Sequence, residues 1–156
     1  APNSRIPALQ LDDGTVIMES TAICRYLESL HPEPNLFGES PIEIASIEMW
    51  QARIFNELMI PLAMGFRHLH PAMSALETQN KEYGETQKNI GIKSLKYFNN
   101  VLSESEFVAG DRYTFADIQM ITTTDFFIGL NRLNLDDYPE IERHTKLMSQ
   151  RESFTA

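Results

Sequence analysis

From His31 to Pro41 the chain reads HPEPNLFGESP, with three prolines and one glycine in eleven residues. Proline fixes φ and has no amide hydrogen to donate, so neither a helix nor a ladder strand runs through this stretch. The break sets the expected organisation: a short head over residues 1–31, a linker over 32–41 and a long tail over 42–156.

The head carries strand periodicity followed by helix periodicity. Ile6 to Leu11 reads as a strand, Asp13-Gly14 as a hairpin turn, and Thr15 to Met18 as the returning strand. From Ser20 the period changes, and Ala22, Ile23, Tyr26, Leu27 and Leu30 form one helical face. The tail reads helical throughout. Ile42 to about Leu69 forms one long segment, with Pro61 expected to kink it. It bears two apolar rows, one through Ile47, Ile54 and Leu58 and another through Met49, Phe55 and Met59, which predicts a helix covered on two sides. Glu82 to Leu102 forms the next helix, with Ile92, Leu95, Phe98 and Leu102 facing inward. Gly84 and Gly91 weaken it by up to about 1 kcal/mol each unless close packing requires them. Ile118 to Leu130 is apolar nearly all round, so it should be the central buried helix, and Asp125 within it needs a partner. A last helix starts at Pro139, with Ile141, His144 and Met148 inward.

Charge narrows the function classes. Thirteen Lys and Arg against 22 Asp and Glu give a net charge of −9, with no basic run to bind a nucleic acid or an anionic membrane. No apolar window is long enough to span a bilayer. A single cysteine, Cys24, allows no internal disulfide and fits a reducing, cytoplasmic compartment. Mid-helix, without a helix N-terminus or basic neighbours, its thiol is packing rather than a nucleophile. His68 and His70 are two apart and make a poor metal pair, so no metal is expected.

Three local patterns bear on a site. In YTFADI, Thr114 and Asp117 have the spacing of a capping box, which makes Asp117 structural rather than catalytic. Glu19-Ser20 stands where the second strand hands over to the helix. One reading is an ordinary serine cap; the other pairs an anion cradle of helix amides with a carboxylate, a receptor for an α-amino acid head group. Ile6-Pro7 opens the first strand either as an edge-strand proline or as a cis bond that leaves the Ile6 backbone free to pair with an extended peptide.

The order I-P-x-L, a D-G hairpin, E-S-x-A-I-x-x-Y-L (Glu19 to Leu27), a Pro-rich linker, a long helix with a central proline, and G-D-x-Y-T-x-A-D-I (Gly110 to Ile118) resembles the glutathione transferase family. The resemblance covers essentially the whole chain, and Ile47 to His68 is similar to bacterial and fungal members. It implies an α/β plus all-α fold: the C-terminal half of a thioredoxin-like domain followed by the helical bundle of these transferases. It also implies glutathione as co-substrate, with Ile6 ahead of cis-Pro7 on its cysteinyl part, Glu19 and Ser20 on the γ-glutamyl end, and Arg5 toward the glycyl side. Phe66 and Arg67 would flank the pocket of a hydrophobic electrophile, and the faces of the long helix and of the helix after Ser20 would form a homodimer. The catalytic Tyr, Ser or Cys of such proteins precedes the position matched by Ala1. This reading therefore takes the chain as lacking that segment and assigns no catalytic residue. The expected activity is detoxifying conjugation of glutathione. A non-catalytic scaffold on the same fold, or a glutathione-dependent reductase or isomerase, is the alternative.

Overall fold

The computed structural model describes residues 6–130 and 133–154. A tight loop at Asp13-Gly14 joins β1 (Ala8–Gln10) to β2 (Val16–Met18), antiparallel with Leu9 opposite Ile17. Both strands are shorter than the sequence pattern predicts. Pro7 has no amide for the ladder, and the Leu11 amide closes the loop instead, donating to the Thr15 carbonyl at 2.9 Å. Gly14 supplies the positive φ, +86°, that the loop requires. Helix α1 (Ser20–Leu30) follows directly.

Residues 31–40 contain no helix or strand, yet residues 35–38 among them are packed. Phe37 is buried and stacks on Phe115 with centroids 4.6 Å apart, while the Phe115 amide donates to the Leu36 carbonyl at 2.9 Å. The Arg112 guanidinium donates to the Asn35 carbonyl at 2.5 Å, to Asn35 Oδ1 at 2.8 Å and to Glu43 Oε1 at 2.6 Å.

Ser40 caps α2 (Pro41–Arg53), its hydroxyl accepting from the Glu43 amide at 3.3 Å. The helix then widens into a π-helical turn over Ile54–Met59 and continues as α3 (Ile60–Leu69). Here the structure departs from a simple proline kink. A proline ring clashes with the carbonyl four residues back and removes one helical hydrogen bond. In the wide turn the Ile60 amide reaches the Phe55 carbonyl, five residues back, and the chain absorbs Pro61 without a break. Ile47, Ile54 and Leu58 enter the core with Leu95, Phe98, Leu102, Met120 and Ile141. The second row is not covered within this chain: Met49, Phe55 and Met59 are exposed.

Helix α4 (Lys81–Glu104) lies against α3 at glycine-limited distance. A Cβ on Gly84 would stand 2.8 Å from Leu69 Cγ and 2.9 Å from His68 Cβ, and one on Gly91 would stand 2.7 Å from Leu62 Cδ2. The glycines cost helix propensity and return close helix contact. They, rather than the half-buried Ile92, form the inner face with Leu95, Phe98 and Leu102.

Thr114 and Asp117 form a capping box at the start of α5 (Phe115–Gly129). The fully buried Asp117 carboxylate accepts from the Thr114 amide at 2.9 Å, the Thr114 hydroxyl at 3.1 Å and the Val108 amide at 2.8 Å. A fourth contact reaches His144 Nε2 at 3.0 Å, on α6 (Pro139–Ser149). Helices α4 and α6 also complete each other's ends. Asn99 Oδ1 accepts from the amides of Glu140 at 3.0 Å and Ile141 at 3.3 Å, and Arg143 donates to the carbonyls of Leu102 at 2.8 Å and Ser105 at 3.2 Å. Helix α5 is not buried all round: Asp125 and Phe126 face outward, so Asp125 needs no protein partner.

A methyl group at position 84 has nowhere to go without moving α3. Gly84→Ala should therefore lower the unfolding free energy by about 1–3 kcal/mol in urea titrations, despite alanine's better helix propensity. An unchanged or raised midpoint would contradict the close-approach account.

Candidate functional site

The end of β2 meets α1 at Glu19, which caps the helix from an unusual backbone conformation, φ +69° and ψ 122°. A non-glycine residue at positive φ costs on the order of 1–3 kcal/mol and persists where the surroundings impose it, often at functional sites. The Glu19 carboxylate makes no capping bond and is exposed beside Ser20, the first residue of the helix. The first intrahelical bond runs from the Ile23 amide to the Glu19 carbonyl at 3.0 Å. The amides of Ser20, Thr21 and Ala22 thus precede the helical ladder and point out of its positive end. The Ile6-Pro7 bond is cis, and Ile6 is 94% exposed. Because Ala8 pairs with Met18, residues 6–7 and 19–20 lie at the same end of the hairpin. Arg5 lies outside the described residues.

Helix α1 buries no residue of its own, so polar contacts hold it against the helical domain. Glu28 Oε2 accepts from the Leu36 amide at 2.5 Å, and Oε1 accepts from the Phe37 amide at 3.2 Å and Asn35 Nδ2 at 3.3 Å. One turn earlier, Arg25 donates to Glu48 Oε1 at 2.5 Å and lies 4.7 Å from the centroid of the Phe37 ring. This attachment places the start of α1 over a groove of about 390 Å³. Its α1 wall is Glu19, Ser20, Thr21 and Cys24; its other walls include Phe55 and Met59 from the wide turn and Ile118 and Thr122 from α5. Burial pushes the Cys24 thiol above its ordinary value, so it stays protonated near neutrality.

Phe66 does not share that groove. It lines a separate cavity of about 280 Å³ between α3, α4 and the end of α5. Arg67 lines neither space: its guanidinium pairs with Glu77, and its carbonyl accepts from Gln79 Nε2 at 3.0 Å. The structure thus brings Ile6, Pro7, Glu19 and Ser20 to one end of the hairpin and places Phe66 and Arg67 apart from them. The sequence reading missed Phe55, Met59, Ile118 and Thr122 as groove residues. The signal for the first two was their place in an apolar row that the core does not use. Among the described residues, no three His, Cys, Asp or Glu side chains converge as a metal site, and no helix is long and apolar enough to cross a membrane.

A two-stranded hairpin that opens on a cis-proline, followed by a helix and joined through residues 31–40 to an all-helical domain, defines a thioredoxin-like segment on a transferase-type bundle. The family profile described as glutathione S-transferase, C-terminal domain, matches residues 55–152, and that of the N-terminal domain matches residues 1–30. Glutathione S-transferase 2 of Saccharomyces cerevisiae is 38% identical over 151 residues, which cover 95% of this chain and 64% of the yeast protein. Glutathione S-transferase GstA of Escherichia coli O157:H7 is 30% identical, over 96% of this chain and 70% of its own length. Among solved structures, Gtt2 from Saccharomyces cerevisiae superimposes with a TM-score of 0.90 at 34% identity, covering 99% of this chain and 75% of that one. The chain belongs to the glutathione S-transferase family.

If Glu28 is the main fastening of α1, Glu28→Ala should accelerate amide hydrogen exchange across Ser20–Leu30 by about tenfold or more while α4 is unaffected. Equal protection of α1 in both proteins would show that the helix is held by something else.

Proposed function

We propose that this chain supplies the γ-glutamyl-binding half of a glutathione site and the adjoining wall of a hydrophobic co-substrate groove, and that it acts in conjugating glutathione to an apolar electrophile. The observation that carries this reading is the juxtaposition at the start of α1: unclaimed amides at a positive helix end, a serine hydroxyl, and a carboxylate on a strained residue. A γ-glutamyl head group carries an α-carboxylate for the first two and an ammonium for the third. The free backbone of Ile6, beside Pro7, is suited to the extended cysteinyl amide, and Arg5 is assigned to the glycyl carboxylate. The relatives' names support glutathione as the co-substrate.

An electrophile must approach the sulfur of glutathione held there. The groove sharing Glu19 and Ser20 with the cradle meets that requirement, so Phe55, Met59 and Ile118, with Thr122 beside them, are proposed as its wall in place of Phe66 and Arg67. Cys24 has a raised pKa and is not the nucleophile; the attacking sulfur belongs to glutathione. We assign residues 1–31 to the thioredoxin-like domain, 32–41 to the linker and 42–156 to the helical domain. The exposed side chains of Met49 on α2 and of Leu27 and Leu30 on α1 suit a second copy of the chain, making the protein a homodimer. Single-cysteine usage supports a cytoplasmic setting.

Isothermal titration with glutathione tests the cradle. Ser20→Ala removes one hydrogen bond to a charged group and should weaken binding by about tenfold with an unchanged melting temperature. Equal affinities would remove the basis for the glutathione reading and favour a scaffold on the same fold. For the dimer, Met49→Glu should move the sedimentation coefficient of the wild-type assembly to that of a single chain; a wild type that already sediments as one chain would overturn the proposal.

A further inference from the structure

Two polar atoms where the bundle faces α1 are shut away from solvent with nothing to bond to. Among the described residues, Gln51 Nε2 on α2 and Gln119 Oε1 on α5 are buried and have no hydrogen-bond partner. Gln51 as a whole is only 7% exposed. A buried amide end left unpaired works against the fold, because water satisfies it in the unfolded chain. Such atoms in a native structure call for a reason, and here a donor and an acceptor share one. Both glutamines line a single space of about 380 Å³ between the start of α1, α2 and α5. It has Glu19, Thr21, Phe55 and Gln119 in common with the groove beside Ser20, so the two spaces adjoin.

The charges around this space select against ions. Glu19 and Glu48 line it, and the Arg25 guanidinium on the same rim already donates to Glu48 Oε1 at 2.5 Å. A carboxylate entering here meets two others and finds the cation engaged. An ammonium group has no acceptor to offer the Gln51 N–H. A neutral carboxamide supplies both missing partners from adjacent atoms: its carbonyl accepts from Gln51 Nε2, and its N–H donates to Gln119 Oε1.

We propose that Gln51 and Gln119 are specificity-determining residues of the co-substrate groove, selecting an electrophile that carries a neutral carboxamide, with its apolar body against Phe55. This rests on the groove being the electrophile's site. The two glutamines bind and orient that molecule and take no part in bond formation at sulfur.

Two unreactive probes, 3-phenylpropanamide and 4-phenyl-2-butanone, share a size and a carbonyl and differ only in an NH₂ against a CH₃. Their dissociation constants for the chain, from NMR titration, test the proposal. The amide should bind about tenfold tighter, because only it can donate to Gln119 Oε1. Gln119→Met should erase that preference by weakening the amide alone, leaving the ketone within about twofold. Gln51→Met should weaken both probes by about three- to tenfold, since each presents the carbonyl it serves. Each substitution removes an unpaired buried group, so neither should lower the melting temperature. Equal affinities of the wild type for the two probes, a preference that survives Gln119→Met, or probe affinities untouched by Gln51→Met would each overturn the proposal. Ketone binding with no advantage for the amide would remove the carboxamide assignment alone, whereas binding of neither probe would remove the electrophile groove with it. The glutathione cradle is read separately, by the Ser20→Ala titration.

Discussion

The buried carboxylate of Asp117 is the contact on which the helical domain turns. A charge taken fully out of water is tolerated only when its oxygens are occupied, and here the loop amide of Val108, both polar groups of Thr114 and the ring of His144 occupy them. One side chain thereby starts α5, fixes the loop before it and ties α6 to both. With α5 set, Phe115 is positioned to stack on Phe37 and to donate to Leu36, and through those contacts the head of the molecule is fastened to the bundle.

That fastening differs in kind from the bundle's own cohesion. Helices α2 to α6 share an apolar core in which Ile54, Leu58, Phe98 and Ile141 are fully excluded from solvent. Helix α1 has no such residue and is held by Glu28, Arg25 and the backbone of the packed linker. The candidate cradle therefore sits on the less deeply anchored half, and the wall facing it sits on the rigid half.

Much of this was legible in the residues. The hairpin, the helix at Ser20, the proline-marked break, the Thr114–Asp117 spacing and the inward face of α6 all follow from local pattern, because each depends on neighbours within a few positions. What escaped was long-range or depended on context. Phe37 sits in a stretch whose composition says linker, and only its stacking on Phe115 makes it core. Asn99 and Arg143 complete helix ends some forty positions away along the chain, a relation no window reveals. The apolar character around Asp125 suggested burial on every side, but amphipathicity averaged along α5 concealed one outward strip. At the candidate site, Glu19, Ser20, Ile6 and Pro7 could be proposed from type and order, whereas Phe55 and Met59 could not be aimed without knowing how the helix around them is wound.

That winding carries a consequence of its own. An ordinary helix advances about 100° per residue and a π turn less, so the six residues Ile54–Met59 turn through about as much as five ordinary ones and leave the phase beyond them unchanged. A single-codon deletion within 54–59 would let the turn tighten to plain α geometry with Leu62 still facing Gly91, yet it would bring the Pro61 ring back against the carbonyl four residues before it. The extra residue is in that sense room made for a ring.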